Sequence, residues 1–321
     1  MSGAAQLPSY MGMTFSQILS RIYRLLRADF RTQFGIALLP GAAYFVSFGA
    51  FFAVIGVTFI PAALRGNQPP AMPQLSLVFA AFTVVMIVHL IALALFLAAS
   101  SYAAVSADCG IRVRIRESYA IAWQRAGHFV LLILSMYGLC FLPAWLLEAL
   151  TFGAMAASKA FSPVLIVVIA VAMLLLIAAL IGGVVVALRL SLAFPASVFE
   201  SLNVRESIKR SWALTRGAAG RIFLVMLVVY AAMYLVMMLA MMIAITIAVI
   251  GYLALSGVLA HPATHTIWIL TVCGVTVYLG LISVFSACAW AGVAASLSVI
   301  YNDQRLRMVS VGQNFRSAGA P

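Results

Sequence analysis

Six long apolar runs, separated by short polar segments, dominate the pattern of hydrophobic and polar positions along this chain. They lie at approximately 34–60, 75–105, 128–150, 162–189, 221–250 and 266–300. Each run is continuous and as long as a helix needs to be to cross a hydrocarbon core of ~30 Å. A membrane β-barrel would instead show short segments in which apolar and polar residues alternate. The pattern therefore predicts an all-α integral membrane protein with six transmembrane helices.

The segment 14–31, which precedes the first run, is amphipathic with the period of a helix. Its apolar face holds Phe15, Ile18, Leu19, Ile22, Leu26 and Phe30, and its polar face holds Gln17, Ser20, Arg21, Arg24, Arg27 and Arg31. Thr14 and Gln17 have the spacing of an N-terminal capping box. Such a helix is typical of the membrane interface, with arginines toward the headgroups. A soluble helix packed on a partner is the alternative.

Two later segments share features with this one. RESYAIAWQRAG (116–127) and RESIKRSWALTRG (205–217) both contain Arg-Glu-Ser, followed five residues later by Trp123 or Trp212, and Tyr23 takes the equivalent place in the first segment. Each segment precedes two apolar runs. The chain is thus predicted to form three hairpins, each preceded by an amphipathic interfacial helix, in a pseudo-threefold repeat. Chance similarity among basic helices is the alternative, because the matched residues are few.

The repeat also divides the chain into domains. The units cover about 14–105, 111–189 and 203–300, within a single six-span membrane domain at 14–307. We expect residues 1–13 to form a disordered N-terminus and 308–321 a disordered C-terminal tail. The first twenty residues lack the apolar core of a signal peptide, so no cleavage is expected.

Composition and charge agree with a membrane protein and give its orientation. The chain is 65% hydrophobic and only 8% charged, with a net charge of +12. The basic residues flank the spans, which favours a role in topology and contact with anionic lipid over nucleic-acid binding. Of the nineteen basic residues, only Arg65 and Lys159 fall on the predicted outer side. The positive-inside rule therefore predicts a multi-pass protein of the cytoplasmic (inner) membrane, with both termini cytoplasmic.

Three stretches resemble a known family. They are RLSLAFPASVFESLNVRESIKRSWALTRG at 189–217, SVIYNDQRLR at 298–307 and TFSQILSRIYRLLRADFRT at 14–32. Together they resemble the membrane domain of bacterial glycerophosphoryl diester phosphodiesterases and related six-span proteins. In those enzymes a separate soluble barrel follows the membrane domain and performs the hydrolysis, whereas this chain ends about twenty residues after its last apolar run. The resemblance therefore implies a stand-alone membrane domain without that activity, which engages lipid or partners.

The basic stretch 189–221 is the main candidate site. It is predicted to surround an anionic lipid headgroup, with one carboxylate orienting an arginine through a charge-assisted hydrogen bond. The residues are Arg189, Glu200, Lys209, Arg210, Arg216 and Arg221. The alternative is that the cluster only fixes topology while Glu200 pairs with Arg189.

Other polar residues have structural interpretations beside the functional ones. His89, near the middle of a span, either carries protons or ligands, or is a neutral histidine bonded to a neighbouring helix. Asp108 is expected to cap its helix or to pair with Arg112, and Glu148 to lie at the membrane interface or to pair across a loop with Lys159.

A metal site at His261 and His265 is disfavoured, because two ligands do not make a set. The small residues Ser283, Ala287, Ala291 and Ala295 are expected to serve helix packing. The methionines of span five are interpreted as core or lipid contacts, and the four cysteines as core thiols. Neither a metal nor another cofactor is predicted.

No sequence motif of a membrane enzyme is present. The sequence therefore favours a non-enzymatic, lipid-interacting scaffold or regulator in membrane homeostasis, with anionic lipids and a membrane protein as partners. A small-solute transporter or channel is the alternative. A lipid-processing enzyme would require Asp108, Glu200 and Asp303 to meet at one cleft.

Overall fold

The structure is a computed structural model that describes residues 12–64, 72–157, 163–258 and 264–318. Within these ranges the regular structure consists of nine α-helices. They are α1 (Phe15–Leu64), α2 (Met72–Asp108), α3 (Ile115–Gln124), α4 (Ala126–Ala157), α5 (Pro163–Leu190), α6 (Ala193–Phe199), α7 (Val204–Thr215), α8 (Ala219–Val258) and α9 (Thr264–Ala318).

Six of these helices, α1, α2, α4, α5, α8 and α9, are long and apolar enough to cross a membrane. In the described residues, the prediction of an all-helical chain with six helices long and apolar enough to span a membrane is confirmed. The remaining three helices are short, and they lie between long helices at the end of the bundle where the arginine segments gather. We call this the basic end, and it comprises residues 12–31, 108–125, 189–221 and 300–308.

Two helices are longer than the sequence pattern indicated. The amphipathic segment 14–31 and the first span form one helix, α1, with a kink at Asp29 (φ −124°, ψ 22°). Helix α9 continues to Ala318, over residues that were expected to belong to a disordered tail. The break after span four lies at Ser191 and Leu192. Pro195 falls in the first turn of α6, where its missing N–H is tolerated.

Small residues allow the long helices to approach closely. Helix α1 packs against α2 and α9, α4 against α5, and α8 against α9. The four small residues Ser283, Ala287, Ala291 and Ala295 of α9 are all buried, as predicted for a packing stripe. A Cβ atom at Gly41 of α1 would lie only 2.9 Å from the carbonyl oxygen of Ser283. The backbones of α1 and α9 therefore touch at this point.

The buried core lies at the basic end rather than along the whole length of the spans. One cluster joins Ile18 and Ile22 of α1 to Leu214 of α7 and Tyr301 of α9. A second joins residues of α1, α2, α4 and α9 around Phe194 of α6. Five of the seven residues of α6 are buried. The short helix α6 thus fills the centre of the basic end, while most of the apolar surface of the spans faces outward.

Candidate functional site

We call the three amphipathic segments predicted from the sequence, which lie in α1, α3 and α7, the basic segments. They begin with the same hydrogen-bonding arrangement. In each, the side chain of the third residue after the N-cap accepts a hydrogen bond from the N-cap backbone N–H, which satisfies one of the helix's otherwise unpaired donors. The N···O distances are 2.8 Å for Thr14 to Gln17, 3.1 Å for Arg114 to Glu117 and 3.4 Å for Asn203 to Glu206. The first turn therefore has the same local structure in α1, α3 and α7.

The three segments also share the positions that they bury and expose. The fourth residue after the N-cap is buried in each, as Ile18, Ser118 and Ser207. The ninth is an exposed aromatic residue, with exposed fractions of 64% for Tyr23, 70% for Trp123 and 46% for Trp212. Each segment thus turns an equivalent face toward the bundle and an equivalent aromatic side chain away from it.

Helix α3 is fixed to the first span by a tyrosine. The Tyr119 hydroxyl donates a hydrogen bond of 2.6 Å to the carbonyl oxygen of Ile36. Burial raises the pKa of Tyr119 above its usual range, so the hydroxyl keeps its proton and remains a donor. This bond ties the second basic segment to α1.

Three consecutive residues of α9 connect the polar groups of the basic end. The Tyr301 hydroxyl donates to Glu200 Oε1 at 3.0 Å, and Asn302 Nδ2 donates to Asp108 Oδ2 at 2.6 Å. The third residue, Asp303, is itself a carboxylate whose side chain is fully buried. Successive residues of a helix point about 100° apart, so this one turn of α9 reaches three separate groups.

The first of these groups pairs Glu200 with Arg210. The Arg210 Nε lies 3.0 Å from Oε1 and 2.8 Å from Oε2 of Glu200. Glu200 thus pairs with an arginine of the same basic stretch. Arg189, which was considered as an alternative partner of Glu200, binds other groups. Arg189 donates to the carbonyl oxygen of Thr215 at 3.0 Å, and its guanidinium lies 5.8 Å from the centre of the Trp212 ring. It therefore caps the C-terminus of α7.

The second group corrects the predicted pairing of Asp108 with Arg112. The nearly buried Asp108 carboxylate accepts from Arg21 Nε at 2.6 Å, while Arg112 is exposed. Arg21 is 87 residues away in sequence, and only the packing of the first turns of α1 on the end of α2 brings it there. The pairing predicted from closeness in the sequence was therefore wrong.

The third group surrounds Asp303. Its carboxylate accepts from Arg221, from Arg307 Nε at 3.0 Å and from the backbone N–H of Met13 at 2.9 Å. Both arginines also donate to the Met13 carbonyl oxygen, each at 2.9 Å. Gly12 lies against the Arg307 guanidinium with a φ of +71°, a backbone conformation that favours glycine. This cluster fastens the start of the described chain to α8 and α9.

A pocket of about 520 Å³ opens beside this cluster, between the α7–α8 turn and the end of α9. Three arginines line it: Arg216, which follows α7, Arg221 in the first turns of α8, and Arg307 of α9. Arg216 is exposed and makes no side-chain hydrogen bond or ion pair within the described ranges. The pocket therefore presents guanidinium groups from three elements to one space.

The structure separates the predicted lipid-site residues. Arg216 and Arg221 meet at the pocket, Glu200 and Arg210 pair with each other, Arg189 caps α7, and Lys209 is exposed. The residue that sequence reasoning left out of this set is Arg307, which comes from the closing motif at 298–307. The available signal was its spacing from Asp303. That aspartate stands four residues before Arg307, so in a helix the two side chains are neighbours.

The three carboxylates proposed for an enzyme all lie near one turn of α9, but each pairs with a different arginine. In the part of the chain that the structure describes, no three His, Cys, Asp or Glu residues are placed to hold a metal ion. Near this one turn of α9 the three acids thus form four ion pairs with arginines that the structure describes.

The remaining candidates lie away from the basic end. His89 contacts the Tyr44 ring edge-on, with 5.9 Å between ring centres, and its Nδ1 is buried with no hydrogen-bond partner in the described structure. Glu148 is exposed. Lys159 and His261 lie outside the described residues, and His265 lies in a helix but its side chain is not described.

No family model matches this chain, and neither a curated protein nor a solved structure matches it. The resemblance to the membrane domain of glycerophosphoryl diester phosphodiesterases therefore stays a prediction from its motifs.

Proposed function

We propose that this chain is a non-enzymatic, six-span protein of the inner membrane that holds anionic lipid at its basic end. In this proposal the spans form three hairpins in a pseudo-threefold arrangement, and both termini are cytoplasmic. The three basic segments lie flat at the inner lipid surface. The protein then acts as a lipid-linked scaffold or regulator of a membrane partner.

The observation that carries this proposal is the matched exposure of arginines and aromatic residues on the three basic segments. The exposed basic residues of the basic end are Arg24, Arg27, Arg31, Arg112, Arg114, Arg116, Arg205, Lys209, Arg216 and Arg305. Beside them stand the exposed Tyr23, Trp123 and Trp212. Tyrosine and tryptophan favour the headgroup level of a bilayer, and each basic residue near an anionic surface contributes ~1 kcal/mol of attraction.

The test is to neutralise one exposed arginine in each basic segment, as Arg24→Gln, Arg116→Gln and Arg205→Gln together. None of these three side chains forms an ion pair in the described ranges, so the fold should persist. We expect the ratio of anionic to zwitterionic lipid that co-purifies with the protein, measured by mass spectrometry, to fall several-fold.

The matched control neutralises Arg65 and Lys159, the two basic residues predicted on the opposite side, and should leave the ratio unchanged. An unchanged ratio in the triple variant would exclude a lipid-binding role for the basic segments. Equal losses in both variants would show that net charge alone determines lipid retention.

A small-solute transporter or channel is the second candidate, favoured by the buried and unpartnered Nδ1 of His89. Transporters hold their substrates in a polar cavity near the bilayer midplane. The arginine pocket instead lies at the basic end, where it supports contact with the lipid surface. Proton flux into proteoliposomes that disappears in His89→Asn would favour the transporter.

A further inference from the structure

The pocket between the α7–α8 turn and the end of α9 has the charge of an anion site. Arg216, Arg221 and Arg307 line it, and Asp303 is the carboxylate bound to the last two. Three guanidinium groups and one carboxylate carry a net charge of two positive units among these residues. A phosphodiester carries one negative charge and a phosphate monoester nearly two. The net positive charge of these residues therefore favours an anion such as a phosphate ester.

Two of the three arginines are held in place before any ligand arrives. Asp303 and the Met13 carbonyl oxygen each accept hydrogen bonds from both Arg221 and Arg307. These bonds use two nitrogen atoms of each arginine and hold the two planar guanidinium groups side by side, and guanidinium groups are preferred partners of phosphate oxygen atoms. Because Asp303 is fully buried behind them, its role is to position the arginines.

The third arginine differs from the other two. Arg216 follows α7, immediately before Gly217, whose φ of +77° turns the chain into α8. Its side chain is exposed and forms no ion pair with any described residue. Unlike the other two guanidinium groups, that of Arg216 is not fixed at the pocket by described residues. The first turn of the 40-residue helix α8 begins at the same pocket and adds its positive dipole end.

The walls of the pocket are apolar as well as basic. Ala213, Leu214, Ala218 and Met308 line it together with the arginines. Its volume of about 520 Å³ is within the range of small-molecule sites, ~300 to 1,000 Å³. A bare phosphate ion would fill only part of this volume. A phosphate with a short carbon skeleton can contact the arginines with its oxygen atoms and the apolar side chains with its carbon atoms.

We propose that this pocket binds a phosphate ester of glycerol-like size, with Arg221 and Arg307 as the fixed pair and Arg216 as the third arginine. The source is either the headgroup of an anionic phospholipid or a soluble phosphate ester with the same chemistry. The lipid source rests on the proposed function, because it needs the basic end to lie at the lipid surface.

The experiment uses the full-length protein in nanodiscs of phosphatidylcholine, with two arms. In one, phosphatidylglycerol is added and bound lipid is counted by native mass spectrometry. In the other, glycerol 3-phosphate is titrated and binding is measured by calorimetry. We expect Arg216→Gln to weaken binding about fivefold in the arm that corresponds to the true source.

A second variant blocks the pocket without changing its charge. Ala213 is exposed and lines the pocket, so Ala213→Phe should fill it and weaken binding at least as strongly. The matched controls are Arg65→Gln, a basic residue predicted on the opposite side of the membrane, and Ala120→Phe, an exposed alanine of α3 that does not line the pocket. Both should bind as the unaltered protein does.

The outcomes separate this proposal from the proposed function. Loss of phosphatidylglycerol binding in both pocket variants, but not in the controls, supports the lipid source, and loss of glycerol 3-phosphate binding supports the soluble source. The pocket proposal is overturned when pocket variants and controls behave alike in both arms. In that case the triple variant of the basic segments still tests the proposed function on its own.

Discussion

Asp303 shows how a single side chain holds distant parts of this chain together. It binds the backbone of Met13, 290 residues earlier, and it pairs with Arg221 and Arg307. A fully buried carboxylate loses its hydration, so its charge is tolerated only because these donors surround it. The start of α1, the start of α8 and the end of α9 therefore depend on one another at this residue.

The first prediction concerns Asp303→Asn. The substitution leaves two partly buried arginines without their carboxylate, and removal of one partner from a buried ion pair costs ~3 to 5 kcal/mol. We expect a clear fall in the thermal stability of the purified protein, measured in detergent by fluorescence-detected gel filtration.

The control for this prediction is Asp29→Asn, at the kink of α1, where the aspartate forms no ion pair within the described structure. It should melt close to the unaltered protein. Equal melting of both variants would mean that the Asp303 cluster contributes nothing to stability.

The helices of this protein are held together by close backbone contacts at glycine and small residues. Gly41 of α1 faces the backbone of Ser283 in α9, and a Cβ at Gly183 of α5 would lie 2.5 Å from the carbonyl oxygen of Cys140 in α4. In lipid, apolar side chains gain little from leaving their surroundings, so close packing must supply the association energy. A side chain at such a contact forces the helices apart.

The second prediction follows for Gly41→Ala. A backbone atom 2.9 Å from the new Cβ cannot rotate away, and overpacking of this kind costs ~1 to 3 kcal/mol. Gly49 lies on the same helix with nothing within 4 Å of its Cβ position. Gly49→Ala should therefore be neutral or slightly stabilising, because alanine favours the helix. The melting temperatures of both variants, measured in the same detergent, test this difference. A lower melting temperature for Gly49→Ala than for Gly41→Ala would refute the contact.

At the scale of the whole molecule, the protein has one packed end and six long spans that are exposed along most of their length. The share of each span's most apolar window that is buried ranges from 6% to 22%. The two buried clusters instead meet around α6 at the basic end. The ion pairs of Asp108, Glu200 and Asp303 lie at this same end. Both apolar packing and ion pairs thus hold the elements of the basic end together.

The orientation of the molecule gives the third prediction. Cys109 is exposed at the basic end, and Ser76 is exposed near the start of α2, at the opposite end of that helix. In intact cells a membrane-impermeant maleimide should label Ser76→Cys, prepared in a background with Cys109→Ser and Cys273→Ser, because Cys273 is also exposed. It should reach Cys109 only after the membrane is opened, because positive residues favour the cytoplasmic side. Labelling of both positions from the same side would refute the proposed topology.

The sequence by itself determined the helical class, the number of apolar spans and the start of the first basic helix. These features depend on neighbouring residues: run length, the 3.6-residue period and a capping partner three positions away, as in Thr14 and Gln17. It also identified the small residues of α9 as packing positions, because spacing along one helix fixes which residues share a face.

The tertiary structure alone decided which charges meet. Arg21 reaches Asp108, Arg210 reaches Glu200 and Arg221 reaches Asp303. One turn of α9 joins these pairs, because Tyr301 binds Glu200 and Asn302 binds Asp108. The end of α9 also brings Arg307 to the pocket that Arg216 lines. Many arginines have similar sequence surroundings, so local pattern does not distinguish among partners that only the packing of helices brings within hydrogen-bonding distance.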